Sequence, residues 1–119
     1  LMKAEALNEK NNGPTQEAYD AVNKIRKRAR FDGTTELNIL PDLENMSYEE
    51  FKNALLDERR WEFTGEGKRW FDLVRFEKLV ESVNAAKPNA QPKDFHQLFP
   101  LPQEELDLNQ NLLPQNTGY

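Results

Sequence analysis

The sequence predicts a mainly α-helical fold that gives way to a loop-rich C-terminal segment. Three observations carry that prediction. Apolar residues recur at helical spacing, as Ala18, Val22, Ile25 and Ala29 do at i, i+4, i+7 and i+11. Cap signatures stand where such stripes begin: Thr15 before one, and Ser47 with Glu50, a capping box, before another. Towards the end of the chain, proline-rich stretches interrupt the pattern.

Taken in order, a first helix is expected from Leu1 to about Asn11, with Leu1, Ala4 and Leu7 on one face. "NNGP" ends it, glycine serving the stop and proline the entry to the next helix. That second helix, capped by Thr15, runs to about Arg30. Over residues 1–30 the two make an antiparallel hairpin, and "AEALNEKNNGPTQEAYDAVNKI" resembles one tetratricopeptide unit in its alanine placement. One such hairpin cannot bury its face alone, so sister repeats are expected before Leu1. Residues 31–46 read as a loop of turn residues. A third helix runs from Ser47 to about Phe63 and stops near Gly65. A fourth runs from about Gly67 to about Asn84, completing a helical hairpin over 47–84. In 85–119, "AAKPNAQPKD" is a surface loop and "FHQLFPL" a short extended piece. "PQEELDLN" is one or two helical turns with Pro102 near the first position, and "QNLLPQNTGY" a tail ordered by docking on the body.

Composition narrows the function classes. The 119 residues suffice for one domain with a modest core, and twelve aromatics argue against disorder. A net charge of −5 speaks against nucleic acid as a partner. The one basic cluster, "KIRKRAR", falls at a helix end, where the helix dipole favours cations. There is no cysteine and one histidine, His96, so no thiolate or multi-histidine metal site is available and no cofactor is expected. His96 itself reads as a satisfied hydrogen-bonding residue. No apolar run reaches membrane-spanning length. The opening "LMKAEALNE" reads as the middle of a helix, so a longer parent chain with its targeting segment upstream is expected.

Chemistry concentrates in "ERRWEFTGEGKRWFDLVR", residues 58–75. On a helical wheel Tyr48, Phe51 and Leu55 share a face that runs on into Glu58, Arg59 and Glu62. Charges on a buried face require counter-charges, from Arg69, Asp72 and Arg75 on the fourth helix or from Arg26 and Arg28 on the second. Trp61 points away from this face and Phe63 flanks it. Trp70, Phe71, Leu73 and Val74 crowd the first half of the fourth helix, while Phe76, Leu79, Val80 and Val83 gather on another side. The favoured reading is structural: Glu58, Arg59, Trp61, Glu62, Arg69, Trp70 and Asp72 form an ionic and aromatic lock. A catalytic Glu58–Glu62 pair is disfavoured. Glycosidase carboxylates usually come from different elements, and nearby arginines keep both acids ionised. Trp61 or Trp70 as a sugar-stacking platform is the other reading, since an exposed indole offers a flat apolar face.

The blocks "LMKAEALNE", "AYDAVNKIRKRA", "ERRWEFTGEGKRWFDLVR" and "LFPLPQEELDLNQNL", closing on "QNTGY", together resemble the C-terminal region of the SusD/RagB family, in order and over nearly the whole chain. That resemblance implies a fragment of a larger α fold on a tetratricopeptide-like scaffold. It implies a non-enzymatic lipoprotein of the outer membrane, at the cell surface of Bacteroidetes-type bacteria. Such a protein binds oligosaccharides or other nutrients and delivers them to a SusC-like TonB-dependent transporter. It would touch the membrane only through an N-terminal lipid anchor outside this sequence. "QNTGY" resembles the family's C-terminus, with Thr117 where proline is common. No ligand-binding residue transfers to a numbered position, because the shared blocks are scaffold. The alternative is a tetratricopeptide-type scaffold for protein–protein interaction, without a glycan role.

Overall fold

In the computed structural model, which describes residues 1–119, every regular element is a helix. The chain divides into two units, Leu1–Arg69 and Trp70–Tyr119. The boundary falls inside the hairpin expected over 47–84.

The first unit holds α1 (Met2–Asn11), α2 (Gln16–Ala29) and α3 (Tyr48–Glu62). Helix α1 ends because Asn12 turns left-handed (φ 50°), letting the Gly13 N–H reach back to the Asn8 carbonyl at 3.0 Å. Asparagine, not the expected glycine, takes the left-handed position; its short polar side chain tolerates that conformation. Thr15 caps α2, its hydroxyl accepting from the Ala18 N–H at 3.3 Å. Ser47 and Glu50 close a reciprocal capping box at the start of α3.

Ala4, Ala18, Val22, Phe51 and Leu55 form the core of this unit, with Tyr19 edge-on to Phe51 at 5.0 Å. Small Ala4 and Ala18 leave room for the Phe51 ring. Burying side chains such as Val22, Phe51 and Leu55 stabilises by roughly 1.5–3 kcal/mol each. On α2 the buried stripe runs Ala18, Val22, Arg26, while Ala29 is exposed. The expected apolar stripe thus ends one turn early and is continued by a charge.

The second unit starts within α4 (Arg69–Arg75) and continues through α5 (Leu79–Ala86) and α6 (Gln103–Leu108), with short 3₁₀ turns at Pro88–Ala90, Asp94–Gln97 and Gln110–Leu112. The single helix expected over 67–84 is therefore two. Glu77 adopts φ 58°, and the Lys78 N–H bonds the Leu73 carbonyl at 2.8 Å, closing α4. The break brings Leu73, Phe76 and Leu79 into the buried set, which also holds Leu106. The piece expected to be extended at "FHQLFPL" begins instead as the 3₁₀ turn Asp94–Gln97.

Candidate functional site

The organising element of the first unit is the polar face of α2. Tyr19, Asn23, Arg26 and Arg30 recur at i, i+4, i+7 and i+11, so they line one side of the helix. Each takes hold of the loop that returns from α2 to α3. The Tyr19 hydroxyl accepts from the Met46 N–H at 2.8 Å. Asn23 engages both backbone groups of Leu43, donating to its carbonyl at 3.0 Å and accepting from its N–H at 2.8 Å. Arg26 Nε donates to the Pro41 carbonyl at 2.8 Å. Arg30 donates to the Leu40 carbonyl at 3.0 Å and pairs with Glu36 at 2.5 Å and Asp42 at 2.6 Å. The hydrogen bonds it donates to Asp42, then to Glu36, push the guanidinium of Arg30 above its already high ordinary pKa. A loop with no regular structure is thereby fixed at its backbone.

Arg26 carries a second duty. Its Nη1 meets Glu58 of α3 at 2.7 Å, with the two side chains 8% and 4% exposed. One turn on, Arg28 holds Glu62 through contacts of 2.5 and 2.8 Å, and that bond raises the pKa of Arg28. Among the counter-charges considered for Glu58 and Glu62, two arginines from α2 reach them, Arg26 and Arg28. Each of these two carboxylates is thus bound to its own arginine of α2.

The "TGEG" turn after α3 is cationic and aromatic. Lys68 Nζ lies 4.2 Å from the centre of the Phe63 ring and the Arg59 guanidinium 5.0 Å from it. Arg69 Nη1 donates to the Leu56 carbonyl at 2.9 Å. An open cleft of about 340 Å³ is lined by Arg59, Arg60, Phe63, Lys68 and Arg69. Trp61 is 56% exposed at the end of α3.

In the second unit Trp70 stacks on Phe99, ring centres 5.6 Å apart and planes at 24°. Asp72 is buried, with Arg75 Nη2 at 3.4 Å. The tail is clasped side chain to backbone. Gln115 accepts from the Leu101 N–H at 2.7 Å and donates to its carbonyl at 2.8 Å. Asn116 donates to the Phe99 carbonyl at 2.7 Å, and the Tyr119 hydroxyl to that of Leu98 at 2.9 Å. Gly118 lies flat against Phe95, so close that a Cβ there would collide with the ring. His96 Nδ1 accepts from the Lys93 N–H at 2.8 Å, the satisfied role expected of it.

Of the seven residues expected in the lock, Glu58, Arg59, Trp61, Glu62 and Arg69 belong to the first unit, and Trp70 and Asp72 to the second. The α2 clasp and the Gln115–Asn116 clasp were missed from the sequence. A polar stripe at helical spacing was the available signal for the first. No group of three or more His, Cys, Asp or Glu side chains converges to hold a metal, and no helix is long and apolar enough to cross a membrane.

The family model of the SusD family matches residues 1–119. The chain belongs to the SusD family. Two SusD-like proteins of Formosa agariphila, P2 and P25, are 40% and 37% identical over the whole chain, which covers 24% and 23% of their lengths. The crystal structure of a SusD homolog from Bacteroides thetaiotaomicron superposes with a TM-score of 0.82 at 30% identity. That superposition covers 98% of this chain and 24% of the other. The SusD-family chain therefore spans about a quarter of the length of the relatives it matches.

Proposed function

We propose that the intact protein is a non-enzymatic, cell-surface carbohydrate-binding lipoprotein of the outer membrane, which delivers its ligand to a SusC-like TonB-dependent transporter. The observation that carries this reading is the SusD-family match over all 119 residues. Within the protein this chain is mainly scaffold. Glu58, Arg59, Trp61, Glu62, Arg69, Trp70 and Asp72 are assigned a structural role, as the ionic and aromatic lock of the region. The commitment of Glu58 and Glu62 to arginines supports that role over a catalytic one.

Native affinity electrophoresis of the intact protein against a panel of polysaccharides tests the reading. Retardation by at least one glycan, with that glycan recovered at its original length, is expected. Failure to be retarded by any of them sinks carbohydrate binding. Shortened glycan that disappears in Glu58→Gln/Glu62→Gln sinks the non-enzymatic, structural assignment.

A further inference from the structure

We propose that Asn12–Gly13 is a site of spontaneous deamidation, and that the cap of α1 is the gate that sets its rate. Gly13 is the one glycine of the chain that follows an asparagine. In such a pair the Gly13 amide nitrogen, its proton passed to water, bonds to Asn12 Cγ. The Cγ–Nδ2 bond breaks, ammonia leaves, and a succinimide ring remains. Water then opens the ring at either carbonyl, leaving aspartate or isoaspartate, with no oxidant or reductant needed. Glycine favours the closure because it has no Cβ to crowd the attacking nitrogen. Closure uses only atoms of these two residues, so their own backbone decides it, whatever else packs nearby.

The fold holds that backbone in a form that cannot react. Asn12 sits at φ 50° and ψ 40°, the left-handed position that ends α1. At that ψ, tetrahedral geometry at Cα sets the Gly13 nitrogen nearly trans to Asn12 Cβ, whereas closure needs the two eclipsed. The same nitrogen donates its proton to the Asn8 carbonyl at 3.0 Å and is not free to attack. Asn8 is itself fixed in place. It is 1% exposed, and its side-chain amide donates to the Tyr48 carbonyl of α3 at 3.3 Å. Asn12 therefore reacts only while the cap is open, a local opening of the kind that helix ends undergo. Isoaspartate adds a methylene to the backbone, which carries the Gly13 N–H off the Asn8 carbonyl. Aspartate puts a negative charge at a helix C-terminus, where the dipole disfavours it. Either product weakens the cap, so the conversion is a one-way record of time spent with α1 open.

The test incubates the intact protein at neutral pH, folded in buffer and unfolded in urea. Peptide mapping by mass spectrometry follows residue 12, with chromatography to separate aspartate from isoaspartate. Amide-resolved hydrogen exchange measures how often the Gly13 N–H opens. The unfolded chain is expected to yield both products. The folded protein should convert at least about tenfold more slowly, by the same factor that protects the Gly13 amide from exchange. Absence of conversion at Asn12 in the unfolded chain overturns the site. Aspartate alone, without isoaspartate, overturns the ring-closing route. Equal rates in the folded and unfolded protein show that the cap protects nothing. A folded rate slowed far beyond the Gly13 exchange protection overturns the cap as the gate, because some other part of the protein then controls the reaction.

Discussion

The two units solve the same problem by different means. The first buries a three-helix core and then closes it with a charge pair, Arg26–Glu58, at its edge. The second has short helices, fewer buried apolar residues and a tail tied down by side chains reaching backbone groups: Gln115 to Leu101, Asn116 to Phe99, Tyr119 to Leu98. Burial is non-directional and tolerates variation in shape, whereas a clasp needs one side chain at one position. Substitutions should therefore be most costly in the core of the first unit. In the second, the clasp and the strained backbone should carry costs of their own beside the smaller buried set of Leu73, Phe76, Leu79 and Leu106.

The largest effects should come from the first unit. Phe51 is fully buried, so Phe51→Ala should cost about 3–5 kcal/mol, read from denaturant unfolding or from hydrogen exchange at α1–α3 amides. Glu58→Ala should cost roughly 3–5 kcal/mol for a different reason, because it strands a buried guanidinium. The double variant Arg26→Met/Glu58→Leu separates these causes. If the pair acts only through mutual compensation, the double variant should recover most of the loss, and what remains measures the bond from Arg26 to Pro41. A double variant as unstable as Glu58→Ala would mean that the clasp on the loop, not the pairing, is what Arg26 contributes.

In the second unit Gly118→Ala is the sharpest probe. Position 118 has φ 103°, and a Cβ would collide with Phe95. Backbone strain and overpacking together should cost about 2–4 kcal/mol in the protection of amides 95–101. Gln115→Ala should cost less, about 1–2 kcal/mol, since water can reach the half-buried Leu101 groups it abandons. If Gln115→Ala proves as damaging as Phe51→Ala, the contrast between a core-held and a clasp-held unit is wrong.

That contrast also decides how much could be read from the sequence. Local signals with their own geometry were legible: Thr15 and Ser47–Glu50 cap the helices they precede, and Tyr48, Phe51 and Leu55 turn a face inward that runs on into Glu58. Long-range choices were not. Nothing local tells that Arg26 and Arg28 will meet Glu58 and Glu62, because that depends on which helix lies alongside. The break at Glu77 has no glycine or proline to announce it. Its only trace was the change of apolar face between Leu73 and Leu79, which a continuous helix could not satisfy on one side. The clasps were invisible for another reason: asparagine, glutamine and tyrosine holding backbone groups look, in sequence, like ordinary surface polarity.

The smallest effect concerns pH and tests whether a legible signal acts as read. Glu50 closes the capping box of α3, and its bonds from the Ser47 backbone N–H and then the Ser47 hydroxyl lower its pKa below the ordinary 4.5. A folded-state pKa below the unfolded one means the unfolded chain binds the proton more tightly. The contribution is therefore complete above the unfolded value and lost as pH falls through the depressed one. Ser47→Ala removes the cap and should cost about 1 kcal/mol at neutral pH. Glu50→Gln keeps a group able to accept from the Ser47 N–H but cannot titrate. Its stability should fall less steeply below about pH 4.5 than that of wild type. Parallel acid limbs for the two proteins would mean that the carboxylate is solvated in solution, and that Ser47 alone starts the helix.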